Sequence, residues 1–135
     1  NLELYSSKDE VMLEAIGTLR GDFKFSNVDI ASVNSEMFLT LRIAEVEVRQ
    51  ILSPSPEIDI VQESSEIKLD VSGLSFDFRA TLEQGLLRVP KTFTNIKTNV
   101  TNAGKKIREI TAKYGSGTKG DFTINGIKGA IVITD

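Results

Sequence analysis

The residue types that most often carry enzyme chemistry are largely missing from this sequence. Its 135 residues include no histidine and no cysteine. Thiolate nucleophiles, disulfides and imidazole acid–base catalysis are therefore excluded. Carboxylate pairs such as Asp9/Glu10 or Asp70/Asp77 could serve glycoside hydrolysis, which needs two acids flanking one bond. Their surroundings are more typical of solvated or salt-bridged side chains, so we predict no catalytic, metal-binding or cofactor-binding residue and no enzyme activity.

Two further features could bind anions. Residues 114–120 have the composition of a phosphate-binding loop, but their order differs from G-x-x-x-x-G-K-[ST] and they do not open a helix, so we interpret them as a loop. The lysines that could contact an anionic surface are Lys8, Lys105, Lys106 and Lys113. Glu109 and Asp121 lie near them in sequence and dilute the positive charge. The formal net charge is −3 and is scattered, which argues against a nucleic-acid groove.

Large apolar side chains supply the remaining candidates for a functional surface. A carrier of an apolar ligand needs a cavity lined by such side chains, whereas an assembly module needs an exposed apolar patch. The candidates for either role are Phe23, Phe38, Phe76, Phe78 and Ile107. We predict an apolar-ligand site or an interface from them, and leave both interpretations open.

Residues 63–82, ESSEIKLDVSGLSFDFRATL, predict the clearest structural element. Apolar residues alternate on both sides of Ser72 and Gly73, where the alternation slips by one. A two-residue loop between alternating runs is typical of a β-hairpin, and one long bulged strand is the alternative. The predicted cross-strand pairs are Val71 with Leu74, Leu69 with Phe76, Ile67 with Phe78, Lys68 with Asp77, and Glu66 with Arg79.

The first half of the chain favours strands. Residues 8–20 fit either a capped helix or an alternating strand, and we favour the strand, with residues 2–5 as its partner across a turn. Residues 35–51 predict the longest strand, and a slip in its alternation near Ala44 indicates a bulge. Pro54 and Pro56 predict an exposed connection.

Residues 93–114 show a different period. Their apolar residues are spaced alternately by three and four positions, which predicts an amphipathic helix over about 93–114. This apolar seam runs through Phe93, Ile96, Val100, Ala103, Ile107, Ile110 and Tyr114. It either packs on the sheet or joins subunits. Near the end of the chain, Asn125-Gly126 predicts a hairpin turn and residues 130–133 predict a buried strand.

Three segments share a pattern of two alternating apolar residues followed by turn-forming residues. They are residues 23–30, 69–76 and 122–129, and the first and third also match at Gly21/Gly120 and Phe23/Phe122. Similar short hairpins without a true repeat are the alternative. The segment IKLDVSGLSFDFRATL loosely resembles the long strands of the tubular lipid-binding fold of bactericidal/permeability-increasing proteins. GDFTINGIKGAIVITD resembles the short strands of bacterial surface adhesins. We assign the chain to neither family.

Together these patterns predict one domain over residues 1–135, of the α+β class and mostly antiparallel. We expect one bent sheet rich in hairpins with one principal amphipathic helix.

No apolar run reaches the roughly 18–20 residues of a membrane-spanning helix. The first residue is Asn1 rather than Met, which favours an extracytoplasmic or surface location. The predicted function is a non-enzymatic binding or assembly module of a surface, envelope or virion structure, with a protein partner or self-association. A carrier of a lipid or other apolar ligand is the alternative.

Overall fold

The computed structural model describes residues 2–7, 10–53, 56–102, 104, 107–115 and 120–135. These residues contain ten β-strands in one sheet and no helix. The strands are β1 (Leu2–Ser7), β2 (Glu10–Lys24), β3 (Asn27–Arg42), β4 (Glu45–Val48), β5 (Glu57–Asp70), β6 (Phe76–Glu83), β7 (Leu86–Arg88), β8 (Thr94–Asn102), β9 (Ile107–Tyr114) and β10 (Asp121–Thr134). The described residues include no helix long and apolar enough to cross a membrane.

Parallel pairing between consecutive strands shows that the chain winds as a coil. Only two residues separate β2 from β3, yet the two strands are parallel, with Lys24 beside Arg42. A tight turn cannot create a parallel neighbour, so the chain must travel around the molecule before it returns. Neighbouring residues are 17 or 18 positions apart between β2 and β3, and 21 apart between β3 and β5. The fold is therefore a β-solenoid.

Each coil has two extended arms. Arm A consists of residues 2–7, 18–24, 36–42, 57–63, 121–127 and 76–83, stacked in that order. Arm B consists of residues 10–16, 27–33, 45–48, 66–70, 130–134 and 86–88. β9 pairs antiparallel with β6, and β8 pairs antiparallel with β9, so these two strands extend arm A. Alternate residues of both arms point inward and form one apolar core.

A left-handed corner connects arm A to arm B in successive coils. The corner residues are Phe25, Ile43, Ser64, Gln84 and Lys128, with φ between 50° and 55°. The residue that follows each corner is small: Ser26, Ala44, Ser65, Gly85 and Gly129. At each corner two neighbouring residues point outward and the small residue turns inward, as Arg42, Ile43 and Ala44 show. The slip in alternation near Ala44 therefore marks a corner of the coil.

The predicted amphipathic helix over residues 93–114 is wrong, and with it the α+β class. β8 and β9 form an antiparallel pair there, and Ile110, Ala112 and Tyr114 are buried at alternate positions of β9. Threonine, valine and isoleucine are frequent in this segment, and β-branched residues favour strands. Apolar residues four positions apart, such as Ile110 and Tyr114, fit both a helical and an alternating period.

The predicted hairpin over residues 63–82 is also wrong. β5 and β6 are joined by a turn at Ser72 and Gly73, but β10 lies between them in the sheet. Arg79 therefore faces Glu109 of β9, with its Nε 4.0 Å from a carboxylate oxygen, and does not pair with Glu66. Asp77 likewise faces Lys113 rather than Lys68.

The other two predicted hairpins are also wrong, because the strands concerned pair in parallel. β10 runs through Asn125 and Gly126 without a turn, so the hairpin predicted there is wrong. β1 and β2 are both strands, as expected, but they pair in parallel, with Leu2 beside Leu19. The predicted match of Phe23 with Phe122 does not correspond to equivalent positions in the coil. Phe122 lies beside Ile58, whereas Phe23 lies beside Leu41, which belongs to a different row of the sheet. The sheet is mixed, with mostly parallel neighbours.

Candidate functional site: a groove on the outer face of arm A

The outward side chains of arm A line up in rows across the sheet, because its strands are in register. One row consists of Asp22, Thr40, Val61, Asn125 and Thr81. The next consists of Lys24, Arg42, Glu63, Ile127 and Glu83. With Ile107 of β9, these rows line a groove of about 580 Å³. We call it the outer-face groove.

The centre of the outer-face groove is apolar. Val61 is 47% exposed and Ile127 is 46% exposed, although each lies within a strand that has neighbours on both sides. Ile107 adds a half-buried side chain from β9. Charged residues form the rim, where Arg42 and Glu63 make an ion pair at 3.6 Å. An apolar centre with a polar rim is the usual composition of a protein–protein contact surface.

Gln62 fixes the floor of this groove from inside the molecule. Its side chain points inward and is buried. Its Nε2 donates to the carbonyl oxygen of Lys128 at 2.8 Å, and its Oε1 accepts from the amide of Ser65 at 3.0 Å. Gly126 lies beside it in the next strand, and a Cβ there would collide with the Gln62 amide. The groove therefore rests on a hydrogen-bonded interior and has a preformed shape.

A second groove adjoins the first on the same face and encloses about 480 Å³. The two share Val61, Thr40 and Asp22. Phe38 lies in the second groove, and the Arg20 guanidinium carbon is 4.5 Å from the centre of its ring. Tyr5 of β1 adds a side chain that is 78% exposed. Exposed apolar and charged side chains thus continue along the outer face toward β1.

The five apolar candidates predicted from the sequence do not meet at one site. Phe23, Phe76 and Phe78 are buried in the core. Phe38 lies in the second groove, and Ile107 lies in the outer-face groove with Val61 and Ile127. The structure therefore brings Phe38 and Ile107 onto one face and separates them from the other three.

Phe76 and Phe78 belong to an aromatic cluster inside arm A. The other rings are Phe93, Tyr114 and Phe122, and the ring centres in contact lie 5.2 to 5.9 Å apart. The Tyr114 hydroxyl donates to a carboxylate oxygen of Asp135 at 3.2 Å. Burial raises the pKa of Tyr114, and the charge and hydrogen bond of Asp135 raise it further. These rings fill interior space between β6, β9 and β10.

Sequence reasoning missed Val61 and Ile127, although both leave a local signal. In residues 58–62, Ile58 and Ile60 point inward, so Val61 is apolar at an outward position and Gln62 is polar at an inward one. Ile127 likewise falls out of phase with Ile124. An apolar residue out of phase with its neighbours was therefore the available local sign of exposed apolar surface, although not of which residues lie beside it.

The acidic residues considered as catalytic candidates form local hydrogen bonds or ion pairs, or are exposed. Asp70 accepts hydrogen bonds from the amide and hydroxyl of Ser72 at 2.9 and 2.6 Å, and Asp77 faces Lys113 at 4.0 Å. Glu10 is exposed on arm B. Among the described residues, no group of three acidic side chains is arranged to hold a metal ion. The candidates outside the described residues are Lys8, Asp9, Lys105, Lys106 and positions 116–119.

Comparisons with protein-family models, with curated proteins and with solved structures find no match to this chain.

Proposed function

We propose that this chain is a non-enzymatic binding and assembly module that contacts a protein partner through the outer-face groove. The observation that carries the proposal is the grouping of Val61, Ile107 and Ile127 in one groove. On a solvated sheet face these positions would favour polar residues, because exposed apolar surface in water is unfavourable. Their side chains would become buried when a partner covers the groove.

The charged rim supports a protein partner in particular. The cations Lys24 and Arg42 and the anions Asp22, Glu63 and Glu83 all line the groove around its apolar centre. A rim with both signs of charge favours a partner whose charges are similarly mixed, and it orients that partner. A lipid chain would gain nothing from such a rim.

The apolar-ligand alternative has less support. An apolar ligand inside the molecule would have to displace the rings of Phe76 and Phe78, which already pack against Phe93 and Phe122. Protein interiors are close-packed, so such displacement opens cavities or strains side chains elsewhere. The outer-face groove needs no such rearrangement.

Site-specific photocrosslinking tests the proposal. A photoreactive phenylalanine analogue replaces Val61 in the full chain, which is expressed in the cells that normally make it. We expect a discrete crosslinked protein species from position 61 after irradiation. The matched control carries the analogue at Glu47, which is also outward and exposed but lies on arm B. Equal crosslinking from both positions, or none from position 61, would reject the groove as a contact surface.

A further inference from the structure

β10 follows the other strands in sequence but lies in the middle of the sheet. The strand order places it between β5 and β6, although β5 leads directly into β6 through the turn at Ser72 and Gly73. β5 and β6 therefore form two walls, and the space between them is one strand wide. We call this space the β10 slot.

Both walls of the β10 slot pair with β10 along its length. On one side, β5 pairs with β10 from Glu57 beside Asp121 to Asp70 beside Thr134. On the other side, β6 pairs with residues 121–127 and β7 pairs with residues 130–132. Beyond the strands, the amide of Asp121 donates to the carbonyl of Pro56 at 3.0 Å. Without β10, each wall would present unpaired backbone groups, which are a template for another strand.

The β10 slot also selects a side-chain pattern. Phe122, Ile124, Ile131 and Ile133 all point into the core and are buried. Glycine is favoured at two further positions: a Cβ at Gly126 would displace the Gln62 side chain, and one at Gly129 would collide with the Ser65 backbone. Gly129 also has φ of 96°, which disfavours other residues. The slot thus reads apolar-x-apolar-x-Gly-x-x-Gly-x-apolar-x-apolar, and residues 122–133 are the part of this sequence that has this order.

These contacts would be the same if β10 came from another molecule. They join β10 to β5, β6 and β7 and to the backbone of Pro56 and Val71, and Gly120 just before the strand accepts from the amide of Asp77 at 2.9 Å. β9 lies on the side of β6 that faces away from β10. β10 is covalently linked to β9 of its own chain, but its strand pairing is made with β5, β6 and β7.

We propose that the β10 slot is a strand-binding site that accepts β10 of a second copy of this chain. Reciprocal exchange between two molecules gives a closed dimer, and one-way exchange gives an open chain of molecules. The slot lies within the sheet and the outer-face groove lies on its surface, so either proposal can fail without the other.

Disulfide trapping tests this exchange, and the natural chain has no cysteine to interfere. Thr123 of β10 lies beside Asp59 of β5 in register. Neighbouring strands are about 5 Å apart, which suits a disulfide. One full-length chain carries Thr123→Cys and a second carries Asp59→Cys. The two are unfolded together, refolded as a mixture and oxidised, and the disulfide between positions 123 and 59 is identified by mass spectrometry.

We expect this intermolecular disulfide to form, and its yield to rise about tenfold with a tenfold increase in protein concentration while exchange is rare. The matched control mixes Thr123→Cys with Glu47→Cys, an exposed position on arm B outside the slot. A single chain carrying both Thr123→Cys and Asp59→Cys should close internally, which confirms that the variants fold in this register. If that chain closes while the mixed pair links no better than the Glu47 control, the exchange does not occur.

Discussion

At the scale of single residues, Gln62 and the glycines beside it illustrate how a polar group is held in this core. The Gln62 amide is satisfied by Lys128 and Ser65 only because Gly126 and Gly129 leave room for it. A buried amide without partners costs roughly 1–3 kcal/mol, so the fold depends on small residues at these two positions.

Gly129→Ala should strongly destabilise the protein. The left-handed φ costs about 1–2 kcal/mol for alanine and the clash with the Ser65 backbone costs roughly 1–3 more, so we expect roughly 2–5 kcal/mol in urea unfolding. Gly17→Ala is the control, because a Cβ there meets no atom within 4 Å. It should change the unfolding free energy by less than about 0.5 kcal/mol. Equal effects of the two substitutions would contradict the packing of Gly129.

We expect the folded protein to lose stability at high pH because of Tyr114. Folding raises its pKa above the unfolded value of about 10, because the phenol is buried beside the negative charge of Asp135. The neutral phenol is thus favoured in the folded state. Its contribution is complete below pH 10 and is lost as the pH rises from the unfolded pKa through the folded one.

A titration in the Tyr5→Phe variant isolates this group, because the chain has two tyrosines. The near-ultraviolet absorbance of tyrosinate should appear at higher pH in the folded protein than in urea. In addition, Tyr114→Phe should reduce the decline in unfolding free energy between about pH 9 and 11. Identical titrations with and without urea would show that folding does not shift this pKa.

At the scale of elements, the left-handed corner is the feature that the sequence pattern does not distinguish from a hairpin. In a two-residue hairpin and in a left-handed corner alike, two neighbouring residues point outward and the alternation slips by one. In the hairpin the chain reverses; at a corner such as Ile43 and Ala44 it continues onto the next arm. Alternation therefore predicts where strands lie, as over residues 10–24, but it does not reveal whether a neighbour is parallel or antiparallel.

Ile43→Asn should stabilise the protein. Ile43 has φ of 50°, a conformation that strains a β-branched residue by about 1–2 kcal/mol and that asparagine tolerates much better. We expect a gain of roughly 1 kcal/mol in urea unfolding. Val61→Asn is the matched control, since Ile43 and Val61 are 51% and 47% exposed but Val61 is extended. The control should lose up to about 1 kcal/mol because asparagine is a poor strand former. A loss in both variants would argue against strain at the corner.

At the scale of the whole molecule, the sequence leaves the order of the strands undetermined. Each segment shows its own buried positions, and several of them were predictable, including Ile131 and Ile133. Nothing local indicates that residues 121–134 lie between β5 and β6, because that placement depends on pairing between distant segments. The outer-face groove was missed for the same reason: Val61, Ile107 and Ile127 become neighbours only once this order is set.

Ile124→Asp should prevent cooperative folding of the entire chain, because β10 joins the coil of β5 to the coil of β6. Ile124 is fully buried, and an unpaired charge there should cost more than roughly 4 kcal/mol. Ile127→Lys also introduces a charge in the same strand but points outward between Glu63 and Glu83, and should cost less than about 1 kcal/mol. Circular dichroism during urea unfolding distinguishes the two. A cooperative transition in Ile124→Asp would mean that the remaining coils fold without an intact β10.

The parallel pairing of β5 with β10 also makes the molecule mechanically anisotropic. Glu57 and Asp121 lie side by side at the start of the two strands. Force applied between them breaks the hydrogen bonds of the pair one after another. Force applied between Glu57 and Thr134, at opposite ends of the pair, slides the strands past each other and loads many hydrogen bonds at once. The same two strands should therefore yield at low force in the first direction and resist in the second, so the direction of pulling decides how much tension this molecule can carry.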